Sequence, residues 1–164
     1  MLIYTHEDCL AHEVPEGHPE RPERLAFLMD HLERTGFLQD HSLQMAPTLP
    51  RGFIEVAHDS ALYDQLENAI PEQGVSALDP DTWIGPRSLS ASCHAAGAVW
   101  QGVNEVVSGD QARVFCAVRP PGHHAERAAA MGFCLLNSVA IAAVNALSLS
   151  AINRVAILDF DVHH

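Results

Sequence analysis

Two largely apolar runs, RVFCAV at 113–118 and VAIL at 155–158, lie either side of an alanine-rich helical stretch, VAIAAVNALS at 139–148. A strand with one face in water alternates apolar and polar residues. One that is apolar throughout is covered on both faces, as in a parallel sheet between layers of helix. Parallel neighbours also need a crossover, and strand, loop, helix, strand supplies one. The chain is therefore read as α/β, with a mainly parallel sheet flanked by helices.

The rest of the chain fits that rhythm. Residues 2–5 read as a short strand. From Glu23, apolar Leu25, Leu28, Met29 and Leu32 recur at helical spacing and stop before Gly36, a C′ glycine. Pro47 and Pro50 break the following stretch. Asp59 or Ser60 caps a helix through Leu66 and Ile70, ended by Pro71. Ser88 opens a long small-residue helix that closes at Ser108, Gly109 and Asp110, and Asn137 or Ser138 caps the alanine-rich one. Residues 6–24, 72–86 and 119–132 read as loops.

At 164 residues, 48% of them hydrophobic, the chain suits one globular domain. A formal charge of −12 disfavours a nucleic-acid backbone as partner and favours cationic or neutral ligands. All nine basic residues are arginine, which excludes a P-loop or Schiff-base lysine within these residues. The scattered Cys9, Cys93, Cys116 and Cys134, and no leader or apolar span, predict a reducing, cytoplasmic setting without disulfides or membrane. The composition points to a bacterial source.

Both apolar runs end in histidines, and in open α/β sheets ligands bind beyond the carboxyl ends of the strands. After 155–158 comes DFDVHH. In an extended chain Asp159, Asp161 and His163 share one face, so a carboxylate oxygen and an imidazole nitrogen can reach one ion. That donor set suits zinc, whose catalytic sites take three protein ligands and leave one position open. Asp159 lies deeper, placed to accept from a histidine or to hold a monovalent cation. After 113–118 comes RPPGHH, with His123 and His124 adjacent on a proline-stiffened loop. Neighbouring imidazoles disfavour simultaneous protonation, which lets one hold a proton while the other accepts one. Together the clusters point to metal-assisted hydrolysis.

RPPGHHAERAAAMGFCLLNSVAIAA followed by RVAILDFDVHH resembles the histone deacetylase family, and the early HPERPERL is similar to its class II and bacterial amidohydrolase branch. The resemblance implies an arginase-like three-layer α/β fold with zinc at the strand ends. It implies Asp161 and His163 as two zinc ligands, His124 as general base and His123 as its acid or electrostatic partner. Asp159 would accept a hydrogen bond from His123 and, with Asp161 and His163, contribute to a potassium site. Phe133 beside Gly132 would wall a tunnel gripping the acyl-lysine stem. Asp81, with Asp79 as the alternative alignment, would bind substrate at the rim, and Arg24 would line an inner channel. The family's third zinc ligand and its carbonyl-polarising tyrosine fall after the D-x-D-x-H-H run. Residues 1–164 are therefore expected to be the N-terminal portion of one catalytic domain, inactive alone.

The reaction expected is hydrolysis of an N-acetyl amide of lysine or a related amine. The partner is an acetylated lysine peptide or an acetylated small amine such as a polyamine. A non-catalytic, truncated metal-binding module is the other reading. A dinuclear manganese site of the arginase type would want D-x-H-x-D patterns in place of tandem histidines. Outside the motifs, His31 and His58 are expected at the surface, His94 packed or capping, Cys134 a packing residue, and Trp83 near the rim.

Overall fold

The structure, a computed structural model, describes residues 1–163; His164, the last histidine of the D-x-D-x-H-H run, lies outside the described residues. In chain order the strands are β1 (Leu2–Thr5), β2 (Ser42–Met45), the two-residue β3 (Ser76–Ala77) and β4 (Trp83–Ile84), and β5 (Val114–Cys116). The helices are α1 (Glu7–Ala11), α2 (Pro22–Arg34), α3 (Arg51–Ile54), α4 (Ser60–Ala69), α5 (Ser88–Ser108) and α6 (Ser138–Ala146).

β1 is the middle strand of a parallel sheet ordered β2-β1-β5, with Ile3 in register with Leu43 on one side and Phe115 on the other. Alternation along β1 divides the core. Leu2 and Tyr4 pack with Ala98 of α5 on one face, while Ile3 packs with Cys9 of α1 and Leu25 of α2 on the other. This gives three layers, helix, sheet and helix, each face buried for the hydrophobic reason that β1 is apolar on both sides. The largest cluster joins α5 to α4 and α6 through Leu62, Leu66, Leu89, Cys93, Ala96 and Ile141. α5 lies so close to residues 47–49 that a β-carbon on Gly97 would sit 1.9 Å from the Pro47 carbonyl oxygen.

The helix ends follow local chemistry. Gly36 and Gly109 both take left-handed φ, 74° and 84°, after α2 and α5. Asn137 caps α6, its side chain accepting from the Ala140 amide at 2.9 Å. Asp59 precedes α4 without capping it, its carboxylate instead taking Arg127 Nε at 2.8 Å.

Several expectations are corrected. Residues 155–158 form no strand, and Ile157 and Leu158 are exposed. A parallel strand is stable where a neighbour fills its ladder and layers cover both faces, and among the described residues 155–158 pairs with no strand. The run 113–118 is a strand only over β5, whose Phe115 is exposed because β5 is an edge. The 6–24 loop contains α1 and the buried His12 and Glu20, and the 72–86 loop contains the antiparallel β3–β4 pair. β2, exposed along its length, was not foreseen from its polar residues. His58 is buried, not at the surface. Among the described residues no helix is long and apolar enough to cross a membrane.

Candidate functional site

The loop after β5 is anchored from within. Arg119, 4% exposed, donates from Nε and its terminal amine to the two oxygens of Glu20, at 2.5 and 2.7 Å, and to the Cys9 and His12 carbonyls at 2.6 and 3.1 Å. His12 lies between Ser88, 2.7 Å from its Nδ1, and Glu20, 3.5 Å from its Nε2. Burial alone would push the Glu20 carboxyl up, but hydrogen bonds and charge from His12 and Arg119 outweigh it and hold it below the ordinary value. The first half of the chain thus fixes the base of the loop that carries the histidines.

At the loop's tip the rings of His123 and His124 are 4.2 Å apart and inclined by 52°. The resemblance implied a hydrogen bond between His123 and Asp159, and His123 Nδ1 lies 2.9 Å from Asp159 Oδ2. Asn137 holds the loop from the far side, its side-chain amide donating to the His123 and Ala125 carbonyls at 3.4 and 3.1 Å. Gly122 is pressed against 136–138, where a β-carbon would lie 2.7 Å from the Leu136 carbonyl oxygen. A cleft of about 480 Å³ opens beside these groups, lined by His123, Asn137, Val139, Leu158, Asp159 and Asp161 among others.

Asp159, Asp161 and His163 are exposed, with a turn only at Val162 and His163: Asp159 Oδ1 accepts from the Asp161 amide at 3.0 Å, and Asp161 Oδ1 from the His163 amide at 2.8 Å. Asp161 and His163 still offer one oxygen and one nitrogen donor, the chemistry zinc takes. Among the described residues they are not drawn together with a third donor at ligand spacing.

Gly132 and Phe133 both have left-handed φ, 57° and 69°. The Phe133 amide donates to Thr82 Oγ1 at 3.1 Å, and the Phe133 ring meets His18 edge-on at 4.7 Å. His18 Nε2 in turn lies 3.1 Å from the Asp81 carbonyl oxygen and Nδ1 2.8 Å from that of Glu20. The two aspartates of LDPDT are distinguished here. Asp79 is spent on its own turn, Oδ1 accepting from the Asp81 and Thr82 amides at 2.9 and 2.6 Å, while Asp81 is exposed. Arg24 is exposed on α2 and lines a separate cleft with Glu20, Phe115, Arg119 and Pro121. Burial raises the Cys134 thiol to about 11, which leaves it a packing residue.

Comparison with known proteins decides the family. The profile of the histone deacetylase domain matches residues 18–164. The chain belongs to the histone deacetylase family. It is 40% identical to an uncharacterized protein of Synechocystis, over 99% of this chain and 54% of that one. A probable deacetylase of Archaeoglobus fulgidus is 34% identical over 99% of this chain and 45% of its own length. Human polyamine deacetylase HDAC10 is 35% identical over 99% of this chain and 26% of its own. The crystal structure of the HDA15 HD domain superposes with a TM-score of 0.83 at 32% identity, covering 90% of this chain and 42% of that one. The arginase/deacetylase α/β fold is therefore that of this chain, which spans about half the length or less of the relatives it matches.

Three residues near the histidines have roles that the sequence alone does not show. His18 ties the Asp81 turn to Phe133, Asn137 holds the histidine loop, and His58 bridges Glu126 to Asn137. Asn137 was legible only as a helix cap. Nothing local distinguishes His18 or His58 from surface histidines, since both act across more than sixty residues of chain.

Proposed function

We propose that this histone deacetylase-family domain serves a zinc-dependent deacetylase that hydrolyses the N-acetyl amide of lysine or a related amine. The observation that carries the reading is the tandem pair His123–His124 with His123 bonded to Asp159, which precedes the acidic and imidazole donors Asp161 and His163 in the chain. Asp161 and His163 would hold the zinc, which when bound would lower the pKa of water and polarise a carbonyl. A potassium ion on Asp159, Asp161 and His163 belongs to the same proposal.

The chain's own residues supply the proton chemistry. His124 takes the proton from the attacking water as general base, its ring seated over Gly132. His123 is the acid or electrostatic partner: its hydrogen bond to the Asp159 carboxylate orients the ring, from which a proton can return to the departing amine. Phe133, positioned by Thr82 and His18, walls the path of the acylated stem, Asp81 meets the substrate at the rim, and Arg24, on its separate cleft, would line an inner channel.

The formal charge of −12 favours a second substrate, an acetylated polyamine, because a cationic stem is drawn to an acidic protein; a polyamine deacetylase is among the relatives. The four free thiols accord with a cytoplasmic setting. The decisive assay is deacetylation of an acetyl-lysine peptide and of an N-acetylpolyamine by the full-length protein, with and without a chelator. Chelation should abolish turnover and His124→Ala should lower it by on the order of a hundredfold or more; a rate indifferent to both would overturn the mechanism.

A further inference from the structure

A second group of side chains able to hold a metal shares no residue with the candidate site. His6 follows β1 and caps α1, Asp8 lies in the first turn of α1, and His94 is on α5. One donor atom from each lies within 4.8 Å of the others. The two imidazoles stack with centroids 3.4 Å apart and planes 9° from parallel. Asp8 is buried, while the His6 and His94 side chains keep 15% and 14% exposure, which leaves an open side for an ion to enter.

The hydrogen bonds around these rings assign their lone pairs. His94 Nδ1 lies 2.9 Å from the Ala46 carbonyl oxygen, which can only accept, so Nδ1 carries the hydrogen. Nε2 of neutral His94 is then a lone pair, which lies 3.8 Å from Asp8 Oδ2 and meets the Thr48 hydroxyl in a long contact of 3.5 Å that an ion would displace. His6 Nδ1 accepts from the Asp8 amide at 3.1 Å, so it too is a lone pair, and it lies 3.9 Å from the same Oδ2. Three electron-rich atoms therefore converge. Asp8 is held from behind, Arg87 and Ser90 donating to Oδ1 and Oδ2, as the outer partners of metal-binding carboxylates do. Oδ2 retains a second lone pair beyond the one Ser90 uses.

The spacing is near that of a zinc site. Ligands at the usual zinc distances, in tetrahedral array, stand roughly 3.3 Å apart. Closing Oδ2 contacts of 3.8 and 3.9 Å to that value takes about half an ångström, and because an imidazole lone pair lies in its ring plane the stacked rings must also tilt apart to meet one ion, a movement open to two partly exposed rings. The ion would take the His6 Nδ1 lone pair from a 3.1 Å cap, exchanging a neutral hydrogen bond for a metal bond. We propose that His6, Asp8 and His94 form a second cation site for zinc or a similar borderline divalent metal, one that clamps α1 to α5. His94, read from its helix as packed or capping, becomes a ligand.

The test uses zinc itself as the probe and the full-length protein with His163→Ala, which removes a donor of the proposed catalytic site. After chelator treatment and re-equilibration with micromolar zinc, this protein should retain one equivalent of zinc more than the same protein also carrying His94→Asn. Asparagine keeps the donor to Ala46 and lacks Nε2. His6→Asn should act alike, since its oxygen keeps the cap on the Asp8 amide while replacing a nitrogen ligand by a poorer one. Zinc should also raise the Tm of the His163→Ala protein, and far less so with either asparagine. Equal zinc content with and without both asparagines, each with native far-UV circular dichroism, overturns the proposal. Because every sample lacks His163, that result leaves the deacetylase reading intact.

Discussion

Gly132 leaves no room for a side chain under the His124 ring: a β-carbon there would lie 2.7 Å from both Cγ and Cδ2. With φ at 57°, the position is also one where an L side chain costs about 1–2 kcal/mol. Gly132→Ala should therefore push the imidazole aside and, if His124 is the base proposed above, lower the proposed deacetylation by about a hundredfold, the scale set by displacing a catalytic group by an ångström. Stability should fall by only the backbone cost. A variant with native kcat would show that the ring's position is not critical.

Gly97 poses the same question inside α5. Alanine in a helix normally gains up to about 1 kcal/mol over glycine. Here the added carbon would meet the Pro47 carbonyl oxygen at 1.9 Å, and that oxygen belongs to backbone that also bonds α5 through the Leu49 amide and the Cys93 carbonyl. The clash wins, and Gly97→Ala should cost about 1–3 kcal/mol or more, read as a lowered denaturation midpoint.

The Arg119–Glu20 pair is buried on both sides. Glu20→Gln removes the charge that compensates the guanidinium, and breaking a buried pair costs about 3–5 kcal/mol. The expected outcome is a sharp loss of Tm together with disorder of the loop carrying His123 and His124, measurable by hydrogen exchange at residues 120–126. Unchanged exchange there would mean that the anchor does not reach the histidines.

His58 makes stability depend on pH. Its Nδ1 donates to the Glu126 carbonyl and its Nε2 accepts from the Asn137 amide, each at 2.9 Å, so the ring must be neutral. Burial, outweighing the contacts at Glu126 and Arg127, lowers its pKa from 6.5. With the folded value depressed, the unfolded chain binds the proton more readily, so this contribution is complete above 6.5 and is lost as pH falls through the folded value. Urea unfolding across pH 7 to 5 should show a loss of stability that is shallower in His58→Gln. Parallel slopes in the two proteins would exclude His58 as the source.

Features governed by a few neighbouring residues were legible in the chain itself. Gly36 and Gly109 end helices because glycine takes left-handed φ without the cost of a side chain, and Asn137 caps α6 with its own side chain. β1 and the histidines after β5 followed from apolar runs that end in polar clusters, and the family followed from the motifs on those clusters. What depended on distant partners was not legible. Residues 155–158 carry the composition of a strand, yet a strand exists only where another backbone completes its ladder, and among the described residues none does. His58, Glu20 and Arg119 look like surface residues until a partner 68 or 99 positions away takes their charge or hydrogen. His6, Asp8 and His94 converge only because α5 packs against α1 beyond the end of β1. Local backbone preference is written residue by residue, whereas burial of a polar group is decided by what the fold brings to meet it.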